Sequence, residues 1–249
     1  MPFDRDTDMG GASARFPHTR HSAIASARSD QPAERERAYS SIVAGYWKPA
    51  YKYIRVEWNR SNEDAKDLTQ SFFAKALEKN YFQTYDPSKG TFRNFLRTCL
   101  DAFISKQDQA AGRLKRGGGT TTIPLDFESA EGELQSLPIP SGMTTDEFFY
   151  KEWVRHLFSE AVETLRAECE ASGKQRHFAL LERYDLDQTA SSYDELAREH
   201  GIPVTTVTNH LAWARRRFRQ IVLDAIREVT GSEDEFQKEA RQLLGGGAV

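Results

Sequence analysis

Apolar positions recur along this chain at intervals of three and four residues, so each patterned stretch predicts a helix and the whole predicts an all-α fold. From Glu34, the side chains of Tyr39, Ile42, Val43, Tyr46 and Trp47 share a face. Pro49 then falls near the start of a second helix carrying Tyr53, Ile54, Val56 and Trp58, and the two read as an aromatic-rich helical hairpin. Asn62 is a good N-cap for a helix over residues 63–79, with Ala65, Leu68, Phe72, Phe73, Ala76 and Leu77 on one broad face. Residues 80–90 form an aromatic loop closed by Asp86-Pro87 and Gly90, both turn signals. A helix over 91–116 follows, with Phe92, Phe95, Leu96, Cys99, Leu100, Phe103 and Ile104 inside. Helical spacing resumes at Asp146 (Phe148, Phe149, Trp153, Leu157, Phe158, Ala161, Leu165), passes Ser172-Gly173 and continues through Phe178 to Leu181. After Thr230-Gly231, a short acidic helix over 232–244 ends the pattern.

The most sharply punctuated stretch is 192–219. Ser192 and Glu195 form a capping box that starts a helix at Tyr193. Gly201 and Pro203 end it, because glycine suits the left-handed C-terminal position and proline the first turn of the next helix. That second helix opens near Val204, with Val207, Leu211, Ala214 and Phe218 on one apolar face. Thr205, Thr206, Thr208, Asn209, His210 and Trp213 lie along its first half, where short polar groups suit base edges. Arg215, Arg216, Arg217 and Arg219 follow, and no Asp or Glu lies between Pro203 and Gln220. Two helices, a tight turn and a basic second helix outline a helix-turn-helix, with DNA as the expected ligand. The bland alternative is a helical hairpin with a solvated basic face.

Two stretches lack periodicity. Residues 1–33, rich in Ser, Ala, Asp and Arg, predict a mostly disordered lead, in which FPHTRHS at Phe16 to Ser22 is either a docking patch or a tail with chance aromatics. Residues 117–145 predict a flexible acidic linker. The chain thus divides into a lead (1–33), a helical domain (34–116), a linker (117–145), a helix-turn-helix domain (146–230) and a C-terminal acidic helix and tail (231–249). At 249 residues with 39% hydrophobic and 29% charged side chains, there is ample material for two small cores. The net charge of −3 excludes a uniformly basic coat protein, but the charge is segregated. Seven Lys or Arg stand against two acids from Lys89 to Arg116, whereas Gly117 to Tyr150 carries six acids and no Lys or Arg. Cys99 and Cys169 have no metal-ligand spacing, and no signal peptide or membrane span is evident. The reading is a reduced, cytoplasmic protein without metal or cofactor.

The candidate chemistry is one of surfaces. Glu63, Asp64 and Asp67 share the N-terminal end of one helix, where acids complement the helix dipole or dock a basic partner. Tyr81, Phe82 and Tyr85 can stack on unpaired bases or plug a small core. Arg93, Arg97, Arg113, Lys115 and Arg116 rim the following helix. Enzymatic constellations are missing, with no GxxxxGK, GxSxG or HExxH, and the six histidines are dispersed. No catalytic activity is expected.

YWKPAYKYIR at 46–55, EDAKDLTQSFF at 63–73, GTFRNFL at 90–96, KRGGG at 115–119 and the helix-turn-helix resemble, in order and spacing, an extracytoplasmic-function sigma factor. This is the small two-domain class of bacterial transcription initiation factor. FPHTR, EFFYKEW at 147–153 and the closing acidic helix resemble a subgroup with N- and C-terminal extensions. The resemblance covers residues 38–116 and 146–227. It implies that Glu63, Asp64, Asp67 and Gln70 dock on core RNA polymerase, at the β′ clamp, with further contacts to the β subunit. It implies that Tyr81, Phe82, Tyr85, Arg93, Asn94, Arg97, Arg113, Lys115 and Arg116 melt and hold the minus-ten promoter element. Thr205, Thr206, Thr208, Asn209, His210, Trp213, Arg215, Arg216 and Arg217 would read the minus-thirty-five element. The extensions are where an anti-sigma factor or a regulatory kinase would act. The sequence departs from the family at Phe95 (usually Trp), Ala102 (usually Asn), and Thr208 and Trp213 (commonly Arg). The runner-up is a stand-alone helix-turn-helix repressor or activator. A nuclease would need clustered carboxylates with a partner base, which the trio at 63–67 lacks in sequence reach.

Overall fold

A computed structural model describes residues 22–111, 125–137, 142–187 and 191–245, and among these the regular elements are all helical. They are α1 (Ala23–Ser26), α2 (Pro32–Glu57), α3 (Asn62–Glu78), α4 (Phe92–Ala111), α5 (Phe127–Gln135), α6 (Thr145–Ala171), α7 (Gln175–Leu181), α8 (Tyr193–His200), α9 (Val204–Glu228) and α10 (Glu233–Leu244). None of them is long and apolar enough to cross a membrane.

Helix α2 is the axis of the molecule. Residues 46–54 are buried without a break, so this helix is covered on every side rather than on one stripe. That explains why the expected hairpin does not form. A turn at Pro49 would leave backbone polar groups in the core, whereas a continuous helix satisfies nearly all of them internally. An interior proline removes one helical hydrogen bond and costs about 3 kcal/mol. Near it, His156 Nε2 donates to the Ala44 carbonyl at 2.7 Å, a partner supplied by α6. Gly45 lets another segment in, since a Cβ there would lie 2.8 Å from Val229 Cγ1.

Three further expectations are corrected. The lead is ordered from Ser22, with Ala23, Ile24 and Ala27 buried and the Arg28 guanidinium donating to the Tyr85 carbonyl; residues 1–21, including FPHTR, lie outside the described residues. Ser61 rather than Asn62 caps α3, accepting from the Asp64 N–H at 3.1 Å, while Asn62 Oδ1 accepts from the Tyr51 hydroxyl at 3.2 Å. Most consequential is the acidic stretch expected to be flexible, part of which is helix α5. Phe127 and Ala130 are buried, with Leu134 packed beside them on the same stripe. The acids of α5 answer cations of α2. Glu131 takes both ends of the Arg55 fork at 2.9 and 2.7 Å and the Tyr51 hydroxyl at 2.6 Å. The Arg55 hydrogen bond chiefly holds its carboxyl down to about 2. Glu133 receives Lys48 at 2.9 Å and Lys52 at 2.7 Å. The attraction comes from residues some 80 positions away, which local periodicity cannot reveal.

One hydrophobic cluster runs through both halves of the chain. Trp153 of α6 stacks on Tyr46 with ring centres 6.5 Å apart, and Phe149 meets Tyr53 edge-on at 5.5 Å. Each large side chain so removed from water contributes about 1.5–3 kcal/mol. Beneath the rings, Lys52 is 1% exposed and joins Glu152 of α6 at 2.9 Å as well as Glu133. A buried pair of this kind adds little net stability, whereas removal of either partner strands a charge in the core.

Candidate nucleic-acid interface

The helix-turn-helix forms where its punctuation predicts. Ser192 Oγ accepts from the Glu195 N–H at 3.2 Å, and the Glu195 carboxylate accepts from the Ser192 N–H at 2.7 Å. Gly201 is left-handed at φ 62°, and the Ile202 N–H returns to the Ala197 carbonyl at 3.0 Å, closing α8. Leu196 from α8 and Val207, Leu211 and Ala214 from α9 are buried, so α9 presents a fixed outer face. Thr205, Asn209 and Arg216 are exposed on it, and Thr206 and Thr208 are half-buried.

Two expected base readers and three of the four arginines are held by neighbours. The His210 imidazole stacks on His177 of α7 at 3.8 Å, and Trp213 meets His177 edge-on at 5.0 Å with the Lys174 ammonium 5.1 Å from its ring centre. Burial first, then nearby charge, pushes both imidazoles below the ordinary histidine range, which disfavours a charge on either ring of the stack. Arg215 forks onto Asp185 at 2.8 and 2.7 Å, and Arg217 onto Glu168 at 2.6 Å for both bonds. Arg219 donates to the Leu244 carbonyl at 3.3 Å. Two of the four arginines that look uncompensated in sequence are therefore neutralised, from α6 and from the segment after α7. Arg216 alone of the four is exposed and without a partner among the described residues.

The second surface, around the start of α4, is closed. Phe82 and Tyr85 are buried and Tyr81 is half-buried, so the aromatic loop serves as a core plug rather than a stacking platform. Phe92 sits at the middle of that plug, 5.4 Å from Phe82 and 5.2 Å from Tyr85. The Arg93 guanidinium lies 4.5 Å from the Tyr150 ring and 4.9 Å from the Trp153 ring, and pairs with Glu239 at 2.8 Å. Arg97 pairs with Asp101 and with Asp146, both at 2.7 Å. Asn94 is exposed. Arg113, Lys115 and Arg116 lie outside the described residues.

Helix α10 completes the cover. The Glu235 carboxylate accepts from the Phe92 N–H at 2.9 Å, the Gly231 N–H at 2.8 Å and the Tyr85 hydroxyl at 3.2 Å. Burial nonetheless outweighs these three donors and raises its pKa above the ordinary carboxyl range. Tyr150, Trp153, Glu235 and Glu239 were not singled out as site residues on sequence. The available signal was the four-residue spacing of Glu235 and Glu239, which places both on the face of α10 that buries Phe236 and Ala240.

The acidic end of α3 stands apart from both surfaces in its chemistry. Glu63, Asp64 and Asp67 are exposed and Gln70 is half-buried. Lys66 tethers Glu63 at 3.0 Å, and the Ser61 hydroxyl donates to Asp64 at 2.8 Å. Asp67 and Gln70 carry no partner among the described residues, which leaves this corner free to meet a basic surface.

No protein-family model, curated protein or solved structure matches this chain.

Proposed function

We propose that this protein is a sigma factor of the extracytoplasmic-function class, which binds core RNA polymerase and directs promoter recognition, melting and initiation without catalytic activity of its own. The reading is carried by one combination: a helix-turn-helix with Thr205, Asn209 and Arg216 facing solvent, on a chain that also presents an acidic corner at Glu63, Asp64 and Asp67 in which Asp67 and the neighbouring Gln70 are unengaged among the described residues. A duplex reader alone has no use for the second feature. The order of motifs along the chain supports the same assignment.

In this reading two modest DNA surfaces act together on the polymerase. Held on one enzyme, the second contact becomes effectively intramolecular, so each surface binds weakly alone while the pair selects a spaced promoter. Strand opening costs a few kcal/mol of unstacking per flipped base, repaid by polar contacts near α4. For that to happen the two halves part into two domains in the polymerase-bound state, with residues 117–145 as the connecting segment.

Co-elution with bacterial core polymerase, together with transcription from a promoter library that core alone ignores, tests the proposal. Asp67→Ala with Gln70→Ala should weaken co-elution while leaving helix content unchanged; undiminished association would remove the docking assignment. A stand-alone repressor is the second reading, favoured by the openness of the reading helix alone in the closed form. Tight duplex binding with no polymerase association would establish it.

A further inference from the structure

Two of the residues assigned above to strand opening, Tyr85 and Arg93, are engaged in this conformation by the chain's own acidic helix α10. We propose that α10 is an internal stand-in for nucleic acid that closes the melting surface until α10 is displaced; this rests on the sigma-factor reading for its biological meaning.

The chemistry of the cover is that of a phosphate backbone. Glu235 places one carboxylate oxygen on the Phe92 N–H, in the first turn of the long helix α4, at 2.9 Å. A backbone N–H at a helix start is where an anionic oxygen of any origin is favoured. Four residues on, Glu239 places an oxygen 2.8 Å from the Arg93 guanidinium, whose planar fork suits carboxylate and phosphate alike. The two acids therefore occupy neighbouring positions on α4, residues 92 and 93, that a nucleic-acid strand would need.

The cover is fitted but incompletely satisfied. At its hinge, a Cβ on Gly231 would lie 2.2 Å from Tyr85 Cε1, so the chain passes against the ring as closely as glycine permits. Yet the second oxygen of Glu239 is buried with no hydrogen-bond partner, although that residue is 2% exposed. A buried carboxylate with one oxygen unanswered is an expensive way to hold a helix down, and release to water recovers that hydration. Helix α10 has 12 residues, too few to be stable alone in water, so on release it loses much of its helicity.

The test uses binding of a fluorescein-labelled 20-nucleotide single-stranded DNA, measured by anisotropy at fixed salt without polymerase. The full chain should bind weakly. A chain ending at Ser232 should bind at least tenfold tighter and with a steeper salt dependence, and a synthetic peptide of residues 231–245 should reverse the gain. Adding Arg93→Ala to the shortened chain should abolish the gain, which a merely structural role for α10 would not predict. Should the shortened chain fail to fold, full-length Glu239→Gln, isosteric and able to remain buried, should raise affinity severalfold. Unchanged affinity in a folded variant overturns the proposal. Failure of the sigma reading is read separately: DNA binding released by α10 removal without polymerase co-elution leaves the closure standing and removes the sigma assignment. Polymerase co-elution with no effect of α10 removal does the opposite.

Discussion

The chain carries two candidate DNA surfaces, and they differ in what their polar groups already hold. On α9 the outermost residues, Thr205, Asn209 and Arg216, face water. At the start of α4 the cations are spent, with Arg93 between Glu239 and two aromatic rings and Arg97 between Asp101 and Asp146. Both surfaces sit on long helices anchored in the same core. Carboxylates hold Arg215 and Arg217 on α9 as they hold Arg93 and Arg97 on α4, but none among the described residues reaches Arg216, and the lesson is that a basic residue in a sequence is a candidate contact only after its own fold has declined it.

The largest way to break this contrast is to cut the charge seam under the closed surface. Lys52→Met removes the cation shared by Glu133 and Glu152 and leaves buried Glu152 with only the half-exposed Arg155. A loss of about 3–5 kcal/mol is expected, as for other buried pairs deprived of one partner. Denaturant unfolding checks it; a loss under about 1 kcal/mol would mean the seam is not desolvated as described. Next is Gly231→Ala, whose methyl meets the Tyr85 ring. Overpacking of this kind costs about 1–3 kcal/mol, and hydrogen exchange should show the loss concentrated in α10 and the start of α4.

A smaller effect sharpens the open side. Arg217→Ala should cost about 0.5–1 kcal/mol of stability, because its fork to Glu168 is roughly one-third exposed and so is partly screened. Arg216→Ala should leave stability within about 0.5 kcal/mol. It should still weaken DNA binding evenly across sequences and flatten the salt slope by about one, as loss of a phosphate contact does. Equal behaviour of the two arginines in both assays would contradict the distinction drawn between them. The smallest effect is a pH drift in α10 docking. The Glu235 pKa is raised by burial, so its folded form binds the proton more tightly than the unfolded chain. Its contribution is therefore complete below the ordinary carboxyl range and declines as pH rises through the raised value. Tyr85 and Arg93 face it. Hydrogen exchange of α10 between pH 4 and 8 should show this drift in the parent and not in Glu235→Gln.

Much of the architecture was legible in the residues alone because helices are local objects. Periodic apolar positions located α3, α4, α6 and α9, and the Ser192–Glu195 cap with Gly201 placed the turn between α8 and α9, since those groups bond within a few residues of one another. What defeated sequence reasoning was every case in which the partner came from far along the chain. Helix α2 continues through Pro49 because α6 and residue 229 enclose it. Helix α5 forms because Lys48, Lys52 and Arg55 draw its acids in. Arg215 and Arg217 are neutralised by Asp185 and Glu168, which no local pattern places beside them. The sequence by itself determined the helical class and the turn that aims α9, through short-range hydrogen bonds and periodicity. Tertiary structure alone decided which cations remain available, because a charge is committed by the nearest opposite charge in space, wherever that lies in the chain.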